Sequence, residues 1–179
     1  GNFVRKSTIV AQRPLSNLTL TTMHQSRSLL LSIAAASFGL IGVALYLQHG
    51  LDMLPCPLCV IQRYLFLAIG IAALVGAYIP KPKLGAGVAL LAALGGLYTA
   101  GKHLYVLANP GLSCGIDPVE TFLNKIPTAT YLPFLFKADG LCEDATAPWF
   151  GLSIPQWAFL WFALFTIALA WALIRRSRA

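Results

Sequence analysis

Residues 55–79 read PCPLCVIQRYLFLAIGIAALVGAYI, in which a short motif of prolines and cysteines leads directly into a long apolar run. From Val60 to Ile79 the run carries a single charge, that of Arg63. About 20 helical residues are needed to cross the hydrocarbon core of a bilayer. This stretch therefore predicts a membrane-spanning helix with two cysteines at its entrance.

Three further apolar runs have the same length and character, over residues 29–47, 84–107 and 156–174. Of the 179 residues, 58% are hydrophobic and 11% are charged, whereas soluble domains carry about 25% charged residues. Buried helices of a soluble core are the alternative, but four such runs in so small a chain disfavour it. The sequence thus predicts an all-α membrane protein, a four-helix bundle with spans over about 29–48, 60–79, 84–107 and 156–174.

The charged residues predict how the bundle is oriented. Nine of the thirteen basic residues fall on one side of the predicted spans, and by the positive-inside rule this side is cytoplasmic. Both termini and the turn at 80–83 lie there, and the loops over 49–59 and 108–155 lie on the outer side. All six carboxylates are on that outer side. The net charge of +7 therefore reflects topology and gives no reason to expect nucleic acid as a partner.

Residues 1–28 read as a flexible, basic cytoplasmic segment. Met23 stands just before the first span and would make a natural start. We therefore interpret residues 1–22 as an addition that the natural protein lacks.

All four cysteines fall on the predicted outer side, and an even number there favours disulfides. Cys56 and Cys59 form a CxxC at the start of a helix, where free amide groups and the helix dipole stabilise a thiolate. A pair of this kind suits redox chemistry better than structural bracing. Cys114 and Cys142 are 28 residues apart, and this spacing lacks the second CxxC that a zinc site would need. No metal site is expected, although two purely structural disulfides remain an alternative.

Two further residues are candidates for function. Arg63 follows Cys59 by four positions and so lies on the same helix face, where a guanidinium stabilises negative charge. The alternative is that Arg63 reaches the lipid headgroups. His103, beside Lys102, is suited to shuttling protons or else marks the membrane boundary with it. In the long outer loop, Asp117 and Pro118 predict a short helix that ends at Lys125.

The chain from about Ser28 to Arg176 resembles the bacterial disulfide bond formation protein B family, DsbB. The resemblance rests on PCPLCVIQR at 55–63, on the second cysteine pair, and on GLSIPQW at 151–157. It implies a protein of the bacterial inner membrane with its cysteines in the periplasm. Its activity would be to reoxidise a periplasmic dithiol of the DsbA type, which has a thioredoxin fold, and to pass the electrons to ubiquinone or menaquinone.

The resemblance also implies roles for individual residues. Cys56 and Cys59 would be the quinone-proximal pair, with Cys59 in contact with the quinone. Arg63 would bind the quinone, and His103 falls near a quinone-side position of the family. Cys114 would form the mixed disulfide with the partner, and Cys142 would resolve it and pair transiently with Cys56.

Two other functions compete with this interpretation. One is a quinone-linked enzyme of the vitamin K epoxide reductase type, whose active CxxC usually lies late in the chain rather than at the second helix. The other is a non-catalytic membrane scaffold with two structural disulfides, which would leave Arg63 unexplained.

Overall fold

The computed structural model of the protein describes residues 15–112 and 116–177, and this part of the chain is built from helices. In chain order they are α1 (Leu15–Gly50), α2 (Pro57–Tyr78), α3 (Pro82–Ala108), α4 (Ile116–Lys125), α5 (Pro127–Tyr131), α6 (Pro133–Phe136), a 3-10 helix (Cys142–Thr146) and α7 (Ile154–Ser177). Helices α1, α2, α3 and α7 each contain an apolar stretch long enough to cross a membrane. The predicted fold, an all-α membrane protein with four spanning helices, is confirmed.

Helix α1 begins earlier than the sequence suggests. A flexible segment is predicted up to residue 28, but the helix starts at Leu15. Residues 15–28 contain no Gly or Pro, the residues that interrupt helices most strongly, and their polar side chains are compatible with a helix. Residues 1–14 lie outside the described part of the chain.

The long helices pack in sequence, α1 on α2, α2 on α3 and α3 on α7. Small residues allow the close approach, as is usual between helices in membranes. At Gly96 on α3, an added Cβ would lie 2.1 Å from the ring of Phe162 on α7. That ring also stacks on Phe66 of α2, with the centroids 4.1 Å apart.

Helices α1 and α7 are not among the closely packed pairs, and two clefts lie between them at opposite ends of the bundle. The outer surface of the helices is apolar as well. Leu91, Tyr98 and Ile167 are 67–74% exposed, as expected of side chains that face hydrocarbon rather than water.

The chain between α3 and α7 is held against the end of α2 that carries the cysteines. The predicted short helix is present as α4, and the amide of Asn124 within it bonds both the carbonyl and the N–H of Ala138, at 3.1 and 3.0 Å. Tyr64 of α2 stacks on Phe136, with ring centroids 4.2 Å apart, and bonds the hydroxyl of Thr128. The loop thus has a defined place on the bundle.

Candidate active site

The CxxC motif lies at the N-terminus of α2, with Pro57 in the first turn of the helix. Cys56 is the N-cap residue, and its sulfur accepts a hydrogen bond of 3.3 Å from the backbone N–H of Cys59. The Cys56 thiol in turn donates to the Cys59 sulfur across 2.8 Å. Both cysteines are free thiols in this structure, and a disulfide between them needs only a small approach of the two sulfurs.

The two sulfurs differ in their surroundings. Cys56 is fully buried, whereas Cys59 is partly exposed and lines a cleft. The hydrogen bond to the Cys59 sulfur, together with burial, raises the pKa of the Cys56 thiol well above its usual value. Of the two sulfurs, that of Cys59 is therefore the better placed to carry negative charge.

The cleft beside Cys59 has a volume of about 540 Å³ and lies between α1, α2, the 3-10 helix and α7. Its walls are mostly apolar and include three tryptophans, Trp149, Trp157 and Trp161. Two polar side chains of α2, Gln62 and Arg63, stand among them. An apolar cleft of this size with a few polar groups is typical of sites for small organic ligands.

Arg63 joins three segments of the chain at the wall of this cleft. Its guanidinium donates to the side-chain oxygen of Gln48 at 2.7 Å, to the carbonyl of Leu135 at 2.8 Å and to the carbonyl of Ala44 at 3.4 Å. The residue is only 6% exposed, so it does not extend to the headgroups. A guanidinium has five N–H donors, and these three bonds leave some of them for a ligand.

Gln62 is a polar cleft residue to which the sequence reasoning gave no role. It is 4% exposed, and its side-chain nitrogen has no hydrogen-bond partner among the described residues. A buried amide without a partner is costly unless a ligand or water completes it. Its position next to Arg63 inside an apolar run was the available signal, because polar groups at membrane depth are functional candidates by default.

A turn after the 3-10 helix forms the edge of the cleft near α7. Trp149 and Leu152 bond each other through their backbones, and Phe150 and Gly151 between them both have positive φ, of 51° and 84°. The carbonyl of Trp149 accepts a bond of 2.8 Å from the indole N–H of Trp157. Glycine adopts a positive φ without strain, so Gly151, the first residue of the GLSIPQW motif, suits this turn.

The long loop is fastened directly beside the CxxC. The backbone N–H groups of Asp139 and Gly140 both donate to the carbonyl of Pro55, at 3.1 and 3.0 Å. An added Cβ at Gly140 would lie 2.2 Å from the carbonyl oxygen of Leu54, so only glycine fits there. This contact places Cys142, two residues further on, next to the start of α2.

Cys142 is buried and disulfide-bonded. Its sulfur, the sulfur of Cys56 and a ring nitrogen of His103 all lie within 4.8 Å of one another. Such a trio has the spacing of metal ligands, but a cysteine in a disulfide offers no thiolate to a metal. The same proximity suits thiol–disulfide exchange between Cys142 and Cys56. Cys114, the remaining predicted cysteine, lies outside the described residues.

His103 sits behind the cysteines rather than on the cleft. It is fully buried, with Nε2 3.8 Å from the Cys56 sulfur and 3.5 Å from the carbonyl oxygen of Cys142. It is not among the residues that line the cleft, and its role in quinone binding stays a prediction. Lys102 beside it is exposed, so of the two only Lys102 is placed to mark the membrane boundary.

Comparison with known proteins decides the family. The family model for disulfide bond formation protein DsbB matches residues 26–172. The chain belongs to the DsbB family. Proteins named Disulfide bond formation protein B resemble it over most of their length: that of Herminiimonas arsenicoxydans is 53% identical over 157 residues, 87% of this chain and 99% of its own.

Two further relatives of that name match a similar share of the chain. The Ralstonia nicotianae protein is 46% identical over 154 residues, 86% of this chain and 97% of its own. The Burkholderia thailandensis protein is 42% identical over 167 residues, 90% of this chain and 96% of its own. Membership of the DsbB family identifies the chain as a multi-pass membrane protein of disulfide bond formation, a disulfide-forming oxidoreductase.

The hydrogen bonds of Arg63 predict a loss of stability on its replacement. Arg63→Met keeps the length of the side chain but leaves Gln48 and Leu135 without their donor, so we expect the free energy of unfolding in detergent to fall by about 2 kcal/mol. Lys102→Met also removes one positive charge, but from an exposed site, and should change the free energy of unfolding by less than about 0.5 kcal/mol. Equal effects of the two variants in a denaturation experiment would show that the bonds of Arg63 do not support the fold.

Proposed function

We propose that this DsbB family protein reoxidises a periplasmic thioredoxin-fold dithiol of the DsbA type and delivers the electrons to ubiquinone or menaquinone. The observation that carries the proposal is that Cys59, a redox-motif cysteine, lines the same apolar cleft as Gln62 and Arg63. Because α1 and α7 line this cleft without packing closely on each other, a membrane-dissolved molecule would enter between them. The orientation proposed from the basic residues puts this end of the bundle in the periplasm.

The residues of the cleft fit a quinone. The ring and tail of a quinone are apolar, and its two carbonyl oxygens are hydrogen-bond acceptors. Arg63 has remaining N–H donors, and the side-chain nitrogen of Gln62 has no other partner among the described residues. A bound quinone would supply an acceptor for two electrons and two protons, and Gln62 and Arg63 would hold its head beside Cys59.

Electrons would reach Cys59 through Cys142 and Cys56. The partner dithiol first reduces the disulfide of Cys142, and its own thiols become a disulfide. The Cys142 thiolate then attacks Cys56 in an oxidised Cys56–Cys59 pair, and Cys59 leaves as a thiolate. Attack by the second loop thiolate, which the resemblance assigns to Cys114, restores the loop disulfide and releases Cys56. This exchange would leave free thiols at Cys56 and Cys59 and a disulfide at Cys142, the pairing described above.

His103 would manage the proton of Cys56 in these steps. Its Nε2 lies 3.8 Å from the Cys56 sulfur in a site closed to solvent. It would donate a proton when Cys56 is released, and accept one when the Cys56–Cys59 dithiol gives two electrons and two protons to the quinone and becomes a disulfide. Reduction of the quinone by the Cys56–Cys59 pair would complete the cycle, with one dithiol oxidised for each quinone reduced.

The proposed activity is tested by mixing the purified protein in detergent with a ubiquinone analogue and a reduced thioredoxin-fold dithiol. We expect quinone absorbance to fall in step with dithiol oxidation, and to stop falling in Cys59→Ser and Cys114→Ser. Gly87→Ala, on a part of α3 with nothing within 4 Å of the added Cβ, is the control for preparation. Absence of turnover with ubiquinone and menaquinone analogues, in protein whose disulfide is intact, would favour the structural scaffold instead.

The two buried polar residues are predicted to affect different steps. In His103→Gln the proton of Cys56 loses its acceptor, so we expect kcat to fall by about 100-fold while KM for quinone stays unchanged. In Gln62→Leu a ligand hydrogen bond is lost, so KM for quinone should rise by about tenfold with kcat less affected. Steady-state kinetics at varied quinone concentration separate the two. A raised KM in His103→Gln would instead place His103 at the quinone.

A further inference from the structure

A second, larger cleft lies at the end of the bundle opposite the cysteines. It has a volume of about 1170 Å³ and is bounded by the first part of α1, the turn between α2 and α3, and the last part of α7. The proposed oxidase chemistry makes no use of it.

The positive charge of this cleft has no counter-charge among the described residues that line it. Lys81, Lys83 and Arg175 line it, and no carboxylate does. In the described part of the chain the one ion pair is between Lys137 and Asp139, at the other end of the bundle. Three cations around one hollow repel each other, so an anion bound between them would be stabilised.

The start of α3 adds to the positive potential at the same place. Lys81 is the N-cap residue of this helix of 27 residues, and no side chain caps its first N–H groups. Residues 80–84, which include these first positions, form one side of the cleft. Pro82 has no N–H and the N–H of Leu84 donates to the carbonyl of Lys81 at 3.0 Å, so the N–H of Lys83 and the helix dipole are what favour an anion here.

The other lining residues suit a molecule that is partly apolar. Leu29, Leu84, Trp171 and Ala172 contribute hydrophobic surface next to the charges. The guanidinium of Arg175 lies over the ring of Trp171, 4.6 Å from its centroid, so the boundary between polar and apolar surface runs through this pair. Because α1 and α7 do not pack closely, the cleft is open to the side on which acyl chains lie.

We propose that this cleft binds the headgroup of an anionic phospholipid. The phosphate would lie between Lys81, Lys83 and Arg175, near the N-terminus of α3. The acyl chains would follow the apolar surface between α1 and α7. Basic pockets between spanning helices are suited to such headgroups, and a soluble phosphate compound would make no use of the apolar surface.

The proposal is tested by native mass spectrometry of the protein in a nonionic detergent, titrated with phosphatidylglycerol or phosphatidylcholine. We expect a clear preference for phosphatidylglycerol. The variant K81Q/K83Q/R175Q should lose about fivefold in phosphatidylglycerol affinity for each charge removed, on the order of 100-fold in total. The matched control K102Q/K125Q/K137Q removes three charges from outside the cleft and should keep the preference.

Two further measurements test whether the lipid binds in this cleft and whether its acyl chains are needed. Ala172→Trp fills the cleft without a change of charge, and it should weaken phosphatidylglycerol binding even if the triple variant fails to fold. Inorganic phosphate and glycerol 3-phosphate at millimolar concentration should not displace the lipid. Displacement by either, equal losses in the two triple variants, or binding unaffected by Ala172→Trp would overturn the proposal.

Discussion

The buried guanidinium of Arg63 is the interaction on which the geometry of the site depends. It bonds the end of α1 through Gln48 and Ala44 and the loop through Leu135, while its own backbone belongs to α2. Burial of a cation at membrane depth is costly, and these bonds offset that cost. The same contacts hold two walls of the cleft at a fixed distance from Cys59. One residue thus contributes to the fold and presents donors to a ligand.

The carbonyl of Pro55 has a comparable role on the loop side. Asp139 and Gly140 both donate hydrogen bonds to it, so the backbone of the loop lies against the start of α2. The short side chain of Cys142 is therefore enough to bring its sulfur within 4.8 Å of the sulfur of Cys56. Cys56 then stands between two partners, Cys142 behind it and Cys59 beside it. In the proposed cycle, this order would give electrons a short path from the loop to the cleft. The close approach of the sulfurs would raise the rate of each proposed exchange step, because the reacting groups are already held in place.

The sequence predicted the features that depend on neighbours along one helix. Apolar length gave the four spans, and the CxxC at a helix start and the register of Arg63 with Cys59 followed from local spacing. Features that depend on contacts between two different segments of the chain could not be predicted. Nothing in the spacing shows that His103 faces Cys56 rather than the cleft, that Gln48 receives a bond from Arg63, or that residue 140 must be glycine. Those contacts arise from the packing of separate elements against one another.

The most direct test of the proposed site is to map the residues to which a quinone binds. A ubiquinone analogue with a photoreactive azide on its ring would be crosslinked to the protein in detergent, and the labelled peptides would be identified by mass spectrometry. We expect label on cleft peptides from residues 40–66 and 144–161, suppressed by excess unmodified quinone. Label on the outward face of α3, around Leu91 and Tyr98, that excess quinone does not suppress would contradict a quinone site beside Cys59 and Arg63.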